Sequence, residues 1–168
     1  MNEIRTNAVP AMDDMNDGLY EAAHQVTQFI VVKFGEEQYG IDIKYIDNIV
    51  RMQHITRVPK VPAYIKGVIN LRGEVVPVMS IRLKMGLAED VETKATRIII
   101  LKMEQHGNVG ILVDEVKEVV NLEDSQIEKT AYEARDDKMS FINGIGKYEG
   151  GLISLLNLNA VTVERDMA

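Results

Sequence analysis

The 168-residue chain contains no cysteine and no tryptophan, and aromatic side chains make up only 5% of it. Without cysteine there is no disulfide, no thiolate nucleophile and no cysteine-ligated metal, and such a composition fits the reducing cytoplasm. The chain also lacks any window approaching the ~20 apolar residues that a membrane-spanning helix needs. The sequence therefore predicts a cytoplasmic protein that does not insert directly into a membrane.

Basic residues are in deficit, since the net charge is -7 and the isoelectric point is near 5.0. A nucleic-acid partner is not expected, because phosphate binding needs a basic face, and a small-barrel RNA-binding protein is the least favoured alternative. The charge is unevenly distributed. Acidic residues predominate in 1–26 and in 87–168, whereas basic residues predominate in 27–86.

Residues that could carry catalysis are few. The three histidines, His24, His54 and His106, have no second ligand at helical spacing, and no Gly-x-Ser-x-Gly motif is present. The acidic pairs 114–115 and 136–137 are interpreted as solvated edges, because adjacent side chains of a strand point to opposite faces. The sequence predicts no catalytic residue, no metal and no cofactor, and hence a protein that is not an enzyme.

From residue 27 onward, β-branched and alternating apolar residues predict a succession of short strands joined by small turns. Ile46, Ile49 and Val50 instead follow helical spacing and predict one turn of helix. Residues 1–26 have little periodicity and are predicted to form a flexible acidic tail.

Two short helices are expected between and after the strands. Ser80 is a candidate cap for a helix over 81–85, which Gly86 would end. Asn157 is a candidate cap for a C-terminal helix over about 157–165.

The two halves of the chain resemble each other. A shift of 70 positions brings Gly40 onto Gly110, and a shift of 77 brings Gly67 onto Gly144, each within a matching apolar pattern. Matching glycines are informative, because each marks a tight turn or a close approach of backbones. The pattern favours a duplication over a chance similarity of two β-rich halves.

Repeated short strands predict two small β-barrels within one domain of residues 27–168, one barrel over roughly 27–86 and the other over 96–156. Each unit has the size at which an independent core is marginal. The two barrels are therefore expected to pack together and to unfold as one cooperative unit.

One loop is a candidate binding element. Arg72 lies at the predicted hairpin tip between Gly67 and Gly73, where its guanidinium can reach a partner carboxylate or backbone carbonyl. The alternative is an exposed turn arginine of little consequence for stability. The position equivalent to Arg72 in the repeat is Glu149, so the equivalent loops carry opposite charge.

Residues 62–78, PAYIKGVINLRGEVVPV, closely resemble the CheW family of chemotaxis adaptors, as do FIVV at 29–32 and EQYGIDI at 37–43. The resemblance covers about residues 27–165. It implies an all-β fold of two five-stranded SH3-like barrels packed together. It also implies a non-catalytic scaffold that couples the cytoplasmic tips of chemoreceptors (methyl-accepting chemotaxis proteins) to the regulatory domain of the histidine kinase CheA, in arrays at the membrane that can contain rings.

The resemblance also implies where the partners bind. By match to the family's motif, receptor binding is expected at Ile46, Gly67 and Arg72, in the groove between the barrels. Kinase contacts are expected on the apolar barrel ends, without assigned residues. Family members often have Glu where this chain has Asn48, which leaves open whether Arg72 has a carboxylate partner. An isolated CheW-like module of a fused or kinase-related adaptor remains the alternative.

Overall fold

The computed structural model describes residues 25–104, 107–129 and 141–162. Within these ranges the chain forms short strands, two short helices and two 3-10 turns, which confirms the predicted all-β fold with short helices. The strands are β1 Val26–Phe34, β2 Glu37–Asp42, β3 Ile46–Arg51, β4 Ile65–Leu71, β5 Glu74–Ser80, β6 Arg97–Met103, β7 Gly107–Val113, β8 Glu115–Glu123, β9 Ile127–Lys129, β10 Ile142–Tyr148 and β11 Gly151–Leu156. The helices are α1 Ile81–Lys84 and α2 Leu158–Thr162, and the 3-10 turns are Ile43–Tyr45 and Asp124–Gln126.

Two predicted segments lie partly outside the described residues. Of the predicted acidic tail, residues 1–24 are outside the described part, and Val26 already begins β1. Of the predicted C-terminal helix, residues 163–165 are likewise outside it.

The strands form a six-stranded sheet with the order β8-β1-β2-β11-β10-β9 and a five-stranded sheet with the order β3-β6-β7-β5-β4. Paired neighbours are antiparallel, except that β2 runs parallel to β11 and β5 runs parallel to β7. The predicted barrel units, 27–86 and 96–156, do not match these sheets. Hairpin β1-β2 belongs to the sheet of the C-terminal strands, and hairpin β6-β7 belongs to the sheet of β3, β4 and β5. The difference arises because sequence similarity identifies repeated strands but not the strands with which they pair.

The repeat itself is present in the sheets. Exchanging β1 with β6, β2 with β7, β3 with β8, β4 with β10 and β5 with β11 converts one strand order into the other, apart from the additional β9. Leu155 pairs with Gly40 as Val78 pairs with Gly110. A Cβ on Gly40 would lie 2.8 Å from the Leu155 side chain, and one on Gly110 would lie 3.4 Å from the equivalent Val78 side chain and 2.9 Å from that of Ile98. The matching glycines therefore mark equivalent close approaches in the two barrels.

Buried apolar side chains form three clusters. Two are small and lie within a single barrel: Phe29, Val31, Val120, Leu122, Ile153 and Leu155 in one, and Ile69, Val76, Val78, Ile98, Ile100 and Leu112 in the other. The third cluster, here called the shared cluster, is larger and draws on both sheets; its members include Phe34, Tyr39, Ile99, Ile111 and Leu156. Most of the core therefore lies where the two barrels meet.

Because the shared cluster belongs to both sheets, we expect a single unfolding transition. Scanning calorimetry should give equal van't Hoff and calorimetric enthalpies for the full chain. A fragment ending at Gly86 should not fold, because the five-stranded sheet would lack β6 and β7. Two resolved transitions, or a folded fragment, would contradict this expectation.

A strand replaces the helical turn predicted at Ile46, Ile49 and Val50. The register of β3 against β6 shifts between Ile46 and Asn48, so that Asp47 is the extra residue of a β-bulge. The bulge lets both Ile46 and Ile49 pack against the shared cluster. A strand with a bulge thus reproduces the i, i+3 spacing that is typical of a helix.

Both predicted helix caps are confirmed. The Ser80 hydroxyl accepts a hydrogen bond of 3.1 Å from the backbone N–H three residues further on. Gly86 follows α1 with a φ of 77°. At α2, the Asn157 side-chain oxygen accepts a hydrogen bond of 3.3 Å from the Ala160 N–H.

Candidate functional site

Strand β3 is an edge strand of the five-stranded sheet, and one of its sides forms a candidate binding surface. None of its residues is fully buried, and Ile46 and Ile49 pack against the shared cluster while remaining partly exposed. Arg51 lies two residues after Ile49 and so points to the same side, as does its cross-strand partner Arg97. We call the surface of Ile46, Ile49, Arg51 and Arg97 the β3 face. It is about 16 Å long, which corresponds to about three turns of helix.

A cleft of about 530 Å³ opens beside the start of β3. It is lined by Lys44, Tyr45, Lys102, Met103 and Glu104. Met103 belongs to the shared cluster, and Tyr45 packs against it. The Lys44 Nζ lies 5.0 Å from the centroid of the Tyr45 ring. The cleft therefore has apolar walls and charged groups at its rim, which suits one side of an amphipathic helix.

Arg72 is exposed at the tip of the β4-β5 hairpin. Arg72 and Gly73 have φ values of 54° and 83°, which are the values of a two-residue hairpin turn. The Asn70 side-chain oxygen accepts a hydrogen bond of 2.9 Å from the Gly73 N–H and fixes the turn. Among the described residues, no carboxylate forms an ion pair with Arg72. The turn therefore presents, at a defined position, a guanidinium that has no ion-pair partner in the described part of the chain.

The equivalent β10-β11 hairpin has the same turn with the opposite charge. Glu149 and Gly150 have φ values of 48° and 78°. Beside this turn lies a polar cleft of about 630 Å³, whose walls include the acidic side chains Glu36, Glu37, Glu118 and Glu149. Each hairpin also carries one exposed apolar residue at equivalent positions, Val75 and Leu152, both 65% exposed.

Gly67 is buried in the wall of the five-stranded barrel. A Cβ on Gly67 would lie 2.2 Å from the carbonyl oxygen of Thr56, and the φ of 143° is one that side chains rarely permit. Thr56 and Val68 exchange two backbone hydrogen bonds of 2.8 Å at this point. The structure thus gives Gly67 a role in letting two backbone segments approach, and does not expose it to a partner.

The structure brings two of the three predicted receptor-binding residues to one end of the five-stranded sheet. The start of β3, which contains Ile46, pairs with the end of β6. The end of β6 pairs in turn with the start of β7, and β7 runs parallel to β5, so that β5 starts at the same end. The tip of β4-β5, with Arg72, projects from this same end. Asn48 has no carboxylate to offer Arg72. Its side-chain oxygen instead accepts a hydrogen bond of 2.9 Å from the Ile49 N–H.

An ion pair that the sequence did not predict joins elements of both sheets. Arg82 in α1 donates hydrogen bonds to both carboxylate oxygens of Asp114, at 3.0 Å from Nε and 2.5 Å from Nη2. The Asp114 carboxylate also accepts a hydrogen bond of 2.7 Å from the N–H of Gly35, in the β1-β2 turn. The two side chains are only 17% and 26% exposed. The interpretation of Asp114 as a solvated edge is therefore wrong, because its partner lies 32 positions away and no local pattern reveals it.

The ion pair shifts the pKa of both groups in the directions that favour charge. Burial acts to raise the pKa of Asp114, but the hydrogen bonds from Arg82 and Gly35 and the charge of Arg82 outweigh it, and the pKa lies below its usual range. The hydrogen bond to Asp114 raises the pKa of Arg82. Both groups therefore remain ionised at neutral pH.

The described residues show no metal centre. They contain no group of three or more His, Asp or Glu side chains placed to hold a metal ion. His54 is exposed, whereas His24 and His106 lie outside the described ranges. No helix in those ranges has the length and apolar character needed to cross a bilayer.

The model of the CheW-like domain family matches residues 28–165. The chain belongs to the CheW family. The chemotaxis protein CheW of Helicobacter pylori is 34% identical over 143 residues, which cover 84% of each chain. That of Bacillus subtilis is 37% identical over 134 residues, which cover 80% of this chain and 85% of the relative. The crystal structure of the scaffolding protein TtCheW from Thermoanaerobacter tengcongensis matches with a TM-score of 0.72 at 31% identity and covers 78% of this chain and 88% of that chain.

Membership in the CheW family confirms the resemblance noted in the sequence and agrees with the two-barrel fold. The named relatives are chemotaxis proteins and a scaffolding protein. The binding roles of Ile46, Gly67 and Arg72 stay predictions. The β3 face, the cleft beside it and the Arg82–Asp114 pair were not recognisable as units in the sequence, because each combines residues from distant segments.

Proposed function

We propose that this CheW-family protein is a non-catalytic chemotaxis scaffold that couples the cytoplasmic tips of chemoreceptors to the histidine kinase CheA. The family match over residues 28–165 carries the proposal. The protein acts in the cytoplasm, is recruited to membrane-associated receptor arrays, and needs neither metal nor cofactor.

The receptor tip binds along the β3 face. Ile46 and Ile49 offer partly exposed apolar surface, and the cleft at Tyr45 extends that surface at one end. An amphipathic helix fits such a surface with its apolar side inward. Arg72 projects from the same end of the sheet and supplies a guanidinium for a carboxylate or a carbonyl of the receptor.

The regulatory domain of CheA binds at the hairpin ends of the barrels. Val75 and Leu152 are exposed at equivalent positions of the repeat, so the molecule has two similar apolar ends. Contacts at two different ends can propagate head to tail and close into a ring. The opposite charges of Arg72 and Glu149 make the two ends distinguishable to their partners.

The scaffold transmits a signal through packing and makes or breaks no covalent bond. The shared cluster and the Arg82–Asp114 pair connect the two sheets, so that a displacement at the β3 face is passed to the barrel ends. This mechanism requires a stiff connection between the barrels, which a close-packed core provides.

Replacing Arg72 with glutamate is expected to weaken binding to a receptor tip about tenfold, which corresponds to about 1.4 kcal/mol. The reversed charge removes a donor at an exposed turn and repels receptor carboxylates. The melting temperature should change little, since Arg72 forms no ion pair with a described residue. Binding of a receptor cytoplasmic fragment, measured by titration calorimetry, gives the comparison.

The matched control is Glu149→Arg, which reverses the charge at the equivalent turn of the other barrel and should leave receptor binding unchanged. Pull-down with the receptor fragment and CheA, separately and together, then tests the proposed coupling. Failure of the unmodified protein to bind either partner would refute the proposed function. Unchanged receptor binding by Arg72→Glu would remove Arg72 from the site.

A further inference from the structure

Two arginines face each other directly across neighbouring strands at one end of the β3 face. Arg51 is the last residue of β3, Arg97 is the first of β6, and they are register partners. Like charges placed opposite each other in an antiparallel pair destabilise the sheet. Neither arginine takes part in an ion pair of the described residues. The described residues therefore supply no carboxylate to either of these paired arginines.

The equivalent place in the other barrel has no such charge. Asn121 of β8 lies 70 positions after Arg51, and its register partner in β1 is Gln28, as Arg97 in β6 is the register partner of Arg51. Neutral side chains thus satisfy the same structural position. The paired arginines are consequently not a requirement of the barrel, and they distinguish the β3 face from its counterpart.

Arg97 is held in a defined orientation. Its Nη1 donates hydrogen bonds of 2.8 Å to the carbonyl oxygens of Lys94 and Thr96. Within the described residues its Nε and Nη2 make no hydrogen bond, and these two groups form the edge of a guanidinium that binds a carboxylate through two parallel bonds. Arg51 is exposed beside it. The geometry suits a carboxylate better than a diffuse negative surface.

We propose that Arg51 and Arg97 bind a carboxylate of the amphipathic helix that occupies the β3 face, and so select partners with an acidic residue at this end. The inference rests on the proposed receptor binding and adds its charge specificity. Ile46 and Ile49 contact the apolar side of the helix. About three helical turns separate the contact at Tyr45 from that at the arginines. The occupant is therefore an amphipathic helix with an acidic side chain at one end of its contact stretch.

The experiment measures binding of a chemoreceptor cytoplasmic tip fragment to the full chain and to Arg51→Gln/Arg97→Gln. At low ionic strength the double variant should bind about tenfold more weakly, and its affinity should depend less steeply on salt. The Lys replacements at both positions should restore part of the loss, because they keep the charge and lose the bidentate geometry. The melting temperature of the glutamine variant should be unchanged or higher.

A matched control is Lys129→Gln/Lys147→Gln, which removes two exposed cations from the six-stranded sheet and should bind the fragment within twofold of the original protein. Single Glu→Gln and Asp→Gln changes in the fragment should identify one position whose effect disappears when the arginines are absent. If the original protein binds and the arginine variant binds equally well, the inference is overturned while the proposed function stands. The inference would also be overturned if the arginine variant lost CheA binding but kept receptor binding. If the original protein binds no receptor fragment, the proposed function itself fails.

Discussion

Gly67→Ala is expected to destabilise the protein by about 3 kcal/mol or more, a loss of the size associated with severe backbone conflict. The new Cβ would lie 2.2 Å from the Thr56 carbonyl oxygen, and backbone atoms cannot move aside as a flexible side chain can. Relief of the clash would break the two hydrogen bonds between Thr56 and Val68. The segment that contains Thr56 would then separate from β4. Chemical denaturation followed by circular dichroism measures the change.

Gly73→Ala provides the matched control for this substitution. Gly73 also has a positive φ, of 83°, but a Cβ there would meet no atom within 4 Å. The free energy of unfolding should therefore fall only by the cost of placing alanine at a positive φ, about 1 kcal/mol. Equal losses at the two glycines would show that backbone conformation, and not the contact with Thr56, governs Gly67.

Gly67→Ala should also affect receptor binding. Gly67 was predicted to take part in receptor binding, but it is buried beneath Thr56. We expect Gly67→Ala to weaken receptor binding in proportion to the fraction of unfolded or locally opened protein. Normal stability together with lost binding would instead support a direct contact.

Asp114→Asn is expected to destabilise the protein by about 2 kcal/mol, between the values for exposed and buried ion pairs. The amide can still accept the hydrogen bond from Gly35, but it leaves the Arg82 guanidinium largely buried without its counter-charge. The β1-β2 turn, α1 and the β7–β8 junction would be less firmly connected. Thermal unfolding of the variant at neutral pH measures the loss.

Acid should weaken the same connection in the original protein. The folded-state pKa of Asp114 lies below its usual value, so the stabilisation is present above the unfolded-state pKa of about 3.9 and is lost as the pH falls through the lower, folded-state pKa. The original protein should therefore lose more stability than Asp114→Asn when the pH is lowered through this range. If the stability of the two proteins falls in parallel as the pH is lowered, Asp114 does not contribute to the acid sensitivity.

A double-mutant cycle with Arg82→Gln separates the ion pair from the other effects of each change. The double variant should be more stable than the sum of the single losses predicts, because each single change leaves an unpaired group. Purely additive losses would mean that the two side chains act independently.

The resemblance in residues 62–78 and the matching glycines were sufficient to predict the family and the two-barrel fold. The glycine match was informative because close approaches at Gly40 and Gly110 impose the same residue at equivalent places of the repeat. Local patterns also located both helix caps, at Ser80 and Asn157, since a cap depends on residues within one turn. The helical turn predicted at Ile46 was wrong because a β-bulge mimics its spacing.

The sequence by itself determined that the chain is built from repeated short strands, that it carries no evident catalytic motif, and that the equivalent turns at Arg72 and Glu149 have opposite charge. Only the tertiary structure decided which strands pair, and hence that each barrel contains a hairpin from the other half of the chain. It likewise brought Arg82 to Asp114 and Arg51 to Arg97. The physical reason is that apolar periodicity specifies which face of a strand is buried, whereas the neighbouring strand is selected by side-chain packing across distant segments.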